Sequence, residues 1–265
     1  MSGKAVAKIR LDRVLVDLGH ASSRERAQAM ILAGRVLVEE QRVDKPGTAI
    51  DPLSAIRMLG SDMPYVSRGG LKLEAAMDRW QIDVAGRVCV DIGTSTGGFT
   101  DCMLQRGASH VLAVDTGYGQ IADSLRRDPR VILYERTNAR LLGPGQLLGR
   151  LPEGALAPVF VAMDVSFISA TLVLPAVVGA LAVPGGRWAG SAVILVKPQF
   201  EAGRENVGKG GIVRDPEAHR GAVERVRLCA AELGGEEIEV ADSPILGREG
   251  NHEFLLRCRF GGGSA

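Results

Sequence analysis

The sequence predicts an α/β protein whose larger part is a doubly wound, mostly parallel sheet. Two observations support this fold class: short apolar runs alternate with helical segments from residue 88 onward, and the first run leads into a loop of glycine, serine and threonine. Parallel strands need crossover segments between them, which the alternation supplies. Ligands of such sheets bind beyond the carboxyl ends of the strands, so the residues that follow each run are the candidate site.

Seven runs predict strands. They cover residues 88–90, 111–114, 131–134, a run ending at 163, 192–196, 238–241 and 253–259. The last two are joined by a short connection with Gly247 and Gly250, which predicts an antiparallel pair at one edge of the sheet.

Composition sets the outer limits. The 265 residues are 46% hydrophobic and 24% charged, which suits one ordinary domain plus a small one, and the net charge of +1 neither favours nor excludes nucleic acid as a partner. Four scattered cysteines and four distant histidines predict reduced thiols, a cytoplasmic location and no metal centre.

The N-terminus lacks the apolar segment of a signal peptide. The apolar stretch 168–183 contains Pro175 and Gly179 and predicts a buried helix, not a membrane span.

The loop after the first strand reads Asp91-Ile92-Gly93-Thr94-Ser95-Thr96-Gly97-Gly98-Phe99. A dinucleotide fingerprint would need a glycine at position 95, where Ser95 stands. Acids at Asp91 and at Asp115, after the next strand, suit the ammonium and ribose of a cationic ligand such as S-adenosylmethionine. An ordinary strand–turn–helix junction explains the same loop, so both interpretations stay open from the loop alone.

The first sixty residues predict a separate module. Leu11, Val14, Leu15 and Leu18 recur at helical spacing before Gly19, a second helix runs from residues 22–26 to Gly34, and residues 36–43 suggest a hairpin. This stretch holds ten Lys and Arg residues against seven acids. Such an excess is typical of a solvated face or of a nucleic-acid contact.

The motifs Leu11-Asp12-Arg13-Val14-Leu15 and Ser23-Arg24-x-x-Ala27-x-x-x-Ile31-x-x-Gly34-x-Val36-x-Val38 resemble the small RNA-binding domain named after ribosomal protein S-four. Such domains hold basic side chains against RNA phosphates. The resemblance implies that the phosphate contacts of this module are Arg13, Arg24, Arg26 and Arg35.

Nearly the whole chain resembles the TlyA family, described both as hemolysins and as ribosomal-RNA 2′-O-methyltransferases, and the larger part also resembles the wider FtsJ-like group. The motifs that carry the resemblance are Arg68-Gly69-Gly70-Leu71-Lys72, Asp164-Val165-Ser166-Phe167, Leu195-Val196-Lys197-Pro198-Gln199-Phe200 and Gly250-Asn251-His252-Glu253. The resemblance implies a Rossmann-like, seven-stranded methyltransferase domain that uses S-adenosylmethionine. It also implies a catalytic tetrad of Lys72, Asp164, Lys197 and Glu253.

These residue types suit methylation of a ribose hydroxyl. The hydroxyl becomes a nucleophile when its proton is removed, and an amine can take that proton only when it is neutral. We expect Lys197 to act as the base, held by Asp164 and Glu253, while Lys72 positions the hydroxyl; the sulfonium is a good leaving group, so no metal is required. The alternatives are a surface charge at Lys72 and a solvent-facing Glu253.

By resemblance and position, further residues are assigned to ligands. The expected donor-binding residues are Asp91, Gly93, Ser95, Gly97, Gly98, Phe99, Asp115, Asn138 and Asp164. Arg68 joins the expected RNA contacts. Residues 203–210 match a P-loop up to Lys209, but Gly210 replaces the Ser or Thr that magnesium needs, so a loop over the substrate is expected instead.

The expected organisation is an RNA-binding domain at 1–60, a linker at 61–64, a methyltransferase domain at 65–260 and a flexible tail at 261–265. The expected activity is 2′-O-methylation of a cytidine ribose in ribosomal RNA, either of the large subunit (23S) alone or of the small subunit (16S) as well. The rivals are a membrane-lytic hemolysin and a catalytically inactive RNA-binding protein.

Overall fold

The computed structural model describes residues 8–21, 23–59, 63–182, 186–247 and 249–261. The chain divides into two compact units, residues 1–62 and 63–265. Residues 61 and 62 of the expected linker and residues 262–265 of the expected tail lie outside the described residues.

The first unit is a small α+β module. Its elements are β1 (Ile9–Arg10), α1 (Leu11–Asp17), α2 (Arg24–Leu32), β2 (Val36–Val38), β3 (Gln41–Arg42), β4 (Ala49–Ile50) and β5 (Ile56–Met58). β2 and β3 form the expected hairpin, β5 pairs with the other side of β2, and β1 pairs with β4. The apolar faces of α1 and α2 pack with β2 and Ile50 into one core.

The apolar stripe of α1 is shorter than the sequence spacing predicts. Leu11, Val14 and Leu15 are buried, but Leu18 is 54% exposed. The helix ends at Asp17 with Leu18 as its C-cap, and Gly19 then turns the chain at a φ of +76°, so Leu18 lies at the end of the helix and is not covered by the core.

Asp12 organises the polar side of this unit. Its buried carboxylate accepts hydrogen bonds from Arg10 (2.8 and 3.1 Å), Arg24 (3.1 Å) and Gln28 (2.9 Å). The Arg10 guanidinium, more than any other neighbour, holds the pKa of this carboxyl well below its usual range. The side chain of Arg24 is therefore fixed from within the unit.

The second unit contains a seven-stranded sheet. Its strands are β6 (Val88–Ile92), β7 (His110–Val114), β8 (Val131–Tyr134), β9 (Phe160–Met163), β10 (Gly190–Val196), β11 (Gly235–Asp242) and β12 (Phe254–Phe260). Its helices are α3 (Gly69–Arg79), α4 (Gly98–Gln105), α5 (Asp123–Arg126), α6 (Ala170–Leu181), α7 (Pro198–Glu201) and α8 (Pro216–Glu232). Short 3₁₀ turns lie at Ala139–Leu141, Leu148–Arg150, Arg204–Asn206 and Lys209–Gly211.

The strand order is β11-β12-β10-β9-β6-β7-β8, and β12 runs antiparallel to both of its neighbours while the other pairs are parallel. This confirms the doubly wound sheet and its antiparallel edge pair. From β6 the chain first builds toward β7 and β8 and then returns to β9 on the other side of β6. The carboxyl ends of β6 and β9 therefore form the topological switch point, where such sheets bind ligands.

Helices cover both faces of the sheet. Val90 and Ile92 of β6 pack into the core under α6 and α8, whereas Cys89 packs into the core under α3 and α4. The apolar stretch around Pro175 is the buried helix α6, as expected. Within the described parts of the chain, no helix combines the length and apolarity needed to cross a membrane.

Candidate active site

The switch point opens into a cavity of about 940 Å³. Asp164 directly follows β9 and Lys197 directly follows β10, so both side chains stand at the carboxyl edge of the sheet. Glu253 reaches the same edge by the reversal of β12, because Phe254, the first residue of that strand, pairs with Val196, the last residue of β10. Lys72 comes from the first turns of α3, and all four side chains line the cavity.

Lys197 is held at two points. Its Nζ lies 2.6 Å from Oδ1 of Asp164 and donates a hydrogen bond of 2.7 Å to Oγ of Ser166. The lysine side chain is only 11% exposed. Since buried ammonium groups are costly unless paired, these two contacts fix the position of Nζ at the cavity wall.

Lys72 and Glu253 form a second, deeper ion pair. Nζ of Lys72 donates to Oε2 of Glu253, and the two side chains are 10% and 3% exposed. The expectation that Glu253 holds Lys197 is therefore wrong. Glu253 is paired with Lys72 instead, because α3 places that lysine nearer to the carboxylate. The alternatives of a surface lysine and a solvent-facing glutamate are also wrong: Glu253 precedes β12 and turns inward.

The glycine loop forms the wall opposite these pairs. Gly93 has a φ of +86°, and a Cβ there would overlap the carbonyl oxygen of Asp164. A Cβ at Gly98 would overlap Oγ of Ser67, which precedes α3. The two glycines thus allow the loop to approach both the strand that ends at Asp164 and the helix that carries Lys72.

Asp115 ties the loop to the end of β7. Its Oδ2 accepts from the backbone N–H of Ser95 (2.7 Å) and its Oδ1 from that of Gly117 (2.6 Å). Each oxygen keeps a second lone pair toward the cavity. Asn138 also lines the cavity, and its Oδ1 caps the turn that follows by accepting from the N–H of Arg140 (3.1 Å). The expected donor-binding residues that line the cavity are Gly93, Ser95, Gly98, Phe99, Asp115, Asn138 and Asp164.

Asp91 and Gly97, which were expected to bind the donor, do not line the cavity. Asp91 is fully buried on the face of β6 that packs under α4, and its Oδ2 accepts from N–H (2.9 Å) and Oγ1 (2.6 Å) of Thr100. Its Oδ1 is buried without a hydrogen-bond partner among the described atoms. Burial, with smaller contributions from the charges of Asp164 and Asp115, raises the pKa of Asp91 to about 7 despite the bonds from Thr100.

Sequence reasoning assigned no role to Ser166 and Phe167, although both stand in the quoted motif. Ser166 holds Lys197, and Phe167 lies at the cavity mouth with 93% of its surface exposed and a φ of +64°. Positive φ is uncommon for a bulky residue and marks a position to be tested for function. The sequence signal that could have identified them is their position shortly after Asp164, at the end of a predicted strand.

The expected RNA-contact arginines have different settings. Arg13 lies 3.8 Å from Asp17 on the surface, Arg24 is bound to Asp12, and Arg26 is exposed. Arg35 is partly buried and donates to the carbonyl of Leu59 (3.3 Å). Arg68 belongs to the second unit, where it is exposed and lines the cavity.

Comparison with known proteins gives the family. Residues 65–260 match the model of the FtsJ-like methyltransferases and residues 9–52 match the S4 domain. YqxC of Bacillus subtilis, named as a candidate rRNA methyltransferase, is 48% identical over 96% of this chain and 87% of its own. The 16S/23S rRNA (cytidine-2′-O)-methyltransferase TlyA of Mycobacterium tuberculosis is 45% identical over 95% of this chain and 90% of its own.

A solved structure points the same way. A candidate hemolysin from Streptococcus thermophilus is 42% identical, superposes with a TM-score of 0.70, and covers 97% of this chain and 90% of its own. The seven-stranded sheet, the switch-point cavity and these relatives agree with one another. The chain belongs to the TlyA family of FtsJ-like methyltransferases.

Proposed function

We propose that this protein transfers a methyl group from S-adenosylmethionine to the 2′-hydroxyl of a cytidine ribose in ribosomal RNA. The observation that carries the proposal is the pair of lysine–carboxylate contacts, Lys197–Asp164 and Lys72–Glu253, on one cavity at the switch point. Two amines beside one cavity suit an acceptor whose proton must be held and removed.

The donor site fits the residues present. The cavity is near the upper end of the range of about 300–1,000 Å³ that small ligands and cofactors occupy. The loop from Gly93 to Phe99 offers backbone groups without obstructing side chains, and Asp115 offers acceptor lone pairs to a ribose. S-adenosylmethionine, when bound, supplies a methyl group on a positively charged sulfonium.

The chain's own residues then act on the acceptor. Nζ of Lys197, fixed by Asp164 and Ser166, is placed to receive the proton of the ribose hydroxyl once its own acidic proton has passed to the carboxylate of Asp164, which leaves the amine neutral. Lys72, fixed by Glu253, is placed to orient the hydroxyl oxygen. Because the four groups are already ordered by their mutual contacts, little freedom is lost when the acceptor binds, and positioning supplies much of the rate.

RNA as the acceptor is supported by three features. The S4-like unit carries the arginines described above, relatives are named for rRNA methylation, and Phe167 offers an exposed ring on which an unstacked base can lie. Arg68 adds a free charge at the cavity mouth. The name of the mycobacterial relative makes both 16S and 23S RNA candidates. A ribosomal substrate places the reaction in the cytoplasm.

The test is transfer of tritiated methyl groups to separated small and large ribosomal subunits. We compare the wild type with Lys197→Met and, as a control that also loses one positive charge, with Arg227→Met, whose side chain pairs with Glu224 on the surface of α8. The expected result is label in ribosomal RNA with the wild type and the control, and a loss of at least about 100-fold with Lys197→Met.

Calorimetry with S-adenosylmethionine separates the alternatives. Retained donor binding by Lys197→Met shows that the cavity is intact. Equal label from Lys197→Met would refute Lys197 as the base. Donor binding without transfer to either subunit would refute ribosomal RNA as the acceptor, and leakage of liposomes on addition of the protein would support the lytic rival.

A further inference from the structure

A second cavity of about 540 Å³ lies beside the first, on the far side of the segment 250–253. His252 lines this second cavity, whereas the next residue, Glu253, lines the first. Consecutive Cα atoms are about 3.8 Å apart, so the backbone that carries His252 into the second cavity also carries Glu253 into the first. Neither the methyl donor nor the acceptor hydroxyl uses this space.

The second cavity is lined by three side chains with nitrogen donors and by Ile212, Val213, Pro216 and Gly250. Arg214 precedes α8, His219 lies in the first turns of α8, and His252 precedes β12; no acidic side chain is among the lining residues. Arg214 and His252 are exposed, and in the described chain neither has an ion pair or hydrogen bond from its side chain. One guanidinium and two imidazoles converging on one cavity suit a phosphate group.

Four acids adjoin the lining residues in sequence: Glu253 is paired with Lys72, Glu249 lines the first cavity, and Asp215 and Glu217 have contacts of their own. Oδ1 of Asp215 caps α8 by accepting from the N–H of Glu217 (3.0 Å). Glu217 is paired with Arg220 on the outer surface of the helix. The charges of Asp215 and Glu217 are thus partly offset, and the cavity keeps the guanidinium of Arg214 without an acidic side chain among its lining residues.

Hydrogen bonds join the segments that line the second cavity, so its shape is formed without a ligand. Asn251 is 1% exposed; its Oδ1 accepts from the N–H of Val213 (2.9 Å) and its Nδ2 donates to the carbonyl of Gly211 (2.9 Å). Nε2 of His219 donates to the carbonyl of Val213 (2.9 Å), and the His219 ring lies 5.9 Å from that of His252. Two stretches that are distant in sequence, residues 211–219 and 251–252, are therefore held together around this space.

We propose that the second cavity binds a phosphate of the RNA strand next to the nucleotide that is methylated. This inference rests on the proposed function and names an acceptor subsite for it. A phosphate held on this side of Glu253 fixes the strand relative to Lys72 and Lys197, so that the reacting hydroxyl enters the first cavity in one register.

The test measures binding of a ribosomal RNA fragment by fluorescence anisotropy over a range of salt concentrations. Arg214→Gln and, separately, His252→Gln should raise the dissociation constant; for Arg214→Gln we expect about tenfold. The slope of log K against log salt for Arg214→Gln should fall by about 0.7–0.9, the value for one lost phosphate contact. Arg214→Lys should restore the slope because it keeps the charge.

Arg227→Gln, which removes an arginine at the other end of α8, is the matched control and should leave both the dissociation constant and the salt slope unchanged.

Each outcome decides the question. Wild-type constants and slopes for both Arg214→Gln and His252→Gln would overturn the phosphate site. A weaker donor affinity of Arg214→Gln in calorimetry, with RNA binding unchanged, would assign the cavity to the donor and also overturn it. If the wild type binds the RNA but transfers no methyl group, the proposed function fails, while the salt slopes still test this cavity.

Discussion

Two lysines line the cavity, and their different surroundings suit them to different roles. Lys197 contacts both a carboxylate and the hydroxyl of Ser166, and its partner Asp164 keeps 21% of its side chain exposed to the cavity. Lys72 is paired with a carboxylate that is almost completely buried. The more accessible pair is the one suited to exchange a proton with a substrate, and the deeper pair is suited to hold a fixed geometry.

Phe167 gives a prediction about stacking. Phe167 is 93% exposed, and its one aromatic neighbour in the described chain is Phe200, with ring centroids 5.4 Å apart. Its φ of +64° costs about 1 kcal/mol more than the same backbone conformation in glycine, which offsets the loss of that ring contact. We expect Phe167→Gly to leave the melting temperature unchanged or higher but to weaken RNA binding about 10-fold or more, since base stacking contributes about 1–3 kcal/mol. Phe167→Trp should keep RNA affinity. Equal RNA affinity of Phe167→Gly and the wild type would contradict a stacking role.

Asp91 gives a prediction about pH. Its pKa is raised to about 7 in the folded protein, whereas an unfolded chain has an aspartate pKa of about 3.9. Between these values the folded state binds more protons than the unfolded state, so the contribution of Asp91 to the free energy of unfolding falls as pH rises from about 4 to 7 and then levels off.

Asp91→Asn removes this titration while keeping an acceptor for Thr100. Urea unfolding of both proteins from pH 4.5 to 8 should therefore show a steeper decline for the wild type than for Asp91→Asn. Parallel curves would show that Asp91 is ionised in both states across this range.

At the scale of elements, the sequence predicts the side-chain positions that depend on the local alternation of strands and helices. Asp164 and Lys197 follow apolar strands, so their place at the carboxyl edge follows from the alternation of strands and helices. The partner of Lys72 does not follow from any local pattern, because 181 positions separate it from Glu253 and only the packing of α3 against the sheet brings them together. Asp91 was misplaced for a different reason: alternation along β6, which is itself a local pattern, turns its side chain under α4 and away from the cavity.

The link made by Asn251 gives a prediction at this scale. Asn251→Ala removes two hydrogen bonds between the segment 211–213 and the loop that carries Glu253 and leaves the N–H of Val213 buried without its partner. We expect the free energy of unfolding to fall by about 2 kcal/mol. We also expect kcat to fall while donor affinity stays near that of the wild type, because the hold on Lys72 loosens.

The matched control is Asn206→Ala, which loses one hydrogen bond, from Nδ2 to the carbonyl of Ala202 (2.6 Å), without touching the Glu253 loop. Its kcat should equal that of the wild type. A similar fall of kcat in both variants would mean that Asn251 acts only through general stability.

At the scale of the whole molecule, each of the two units has apolar cores of its own. The core of the first unit draws on α1, α2 and short strands, and the two cores of the second unit flank the seven-stranded sheet. In the function proposed above, the first unit supplies affinity for RNA through its arginines and the second supplies the chemistry. Compact units with their own cores unfold as separate cooperative transitions unless a large interface couples them.

Asp12 tests this division because it stabilises the first unit alone. Asp12→Asn removes a buried carboxylate that accepts from Arg10, Arg24 and Gln28, and we expect the stability of that unit to fall by about 2 kcal/mol. Since its pKa is lowered in the folded state, the contribution of Asp12 is present above about pH 4 and is lost as pH falls further, so wild type and variant should converge in acid.

Asp17→Asn, which affects only a surface contact with Arg13, is the control. Calorimetry should show one transition at a lower temperature and the other unchanged, with donor affinity retained and RNA affinity reduced because Arg24 loses its anchor. A shift of both transitions, or an unchanged affinity for RNA, would contradict the separation of binding and chemistry between the two units.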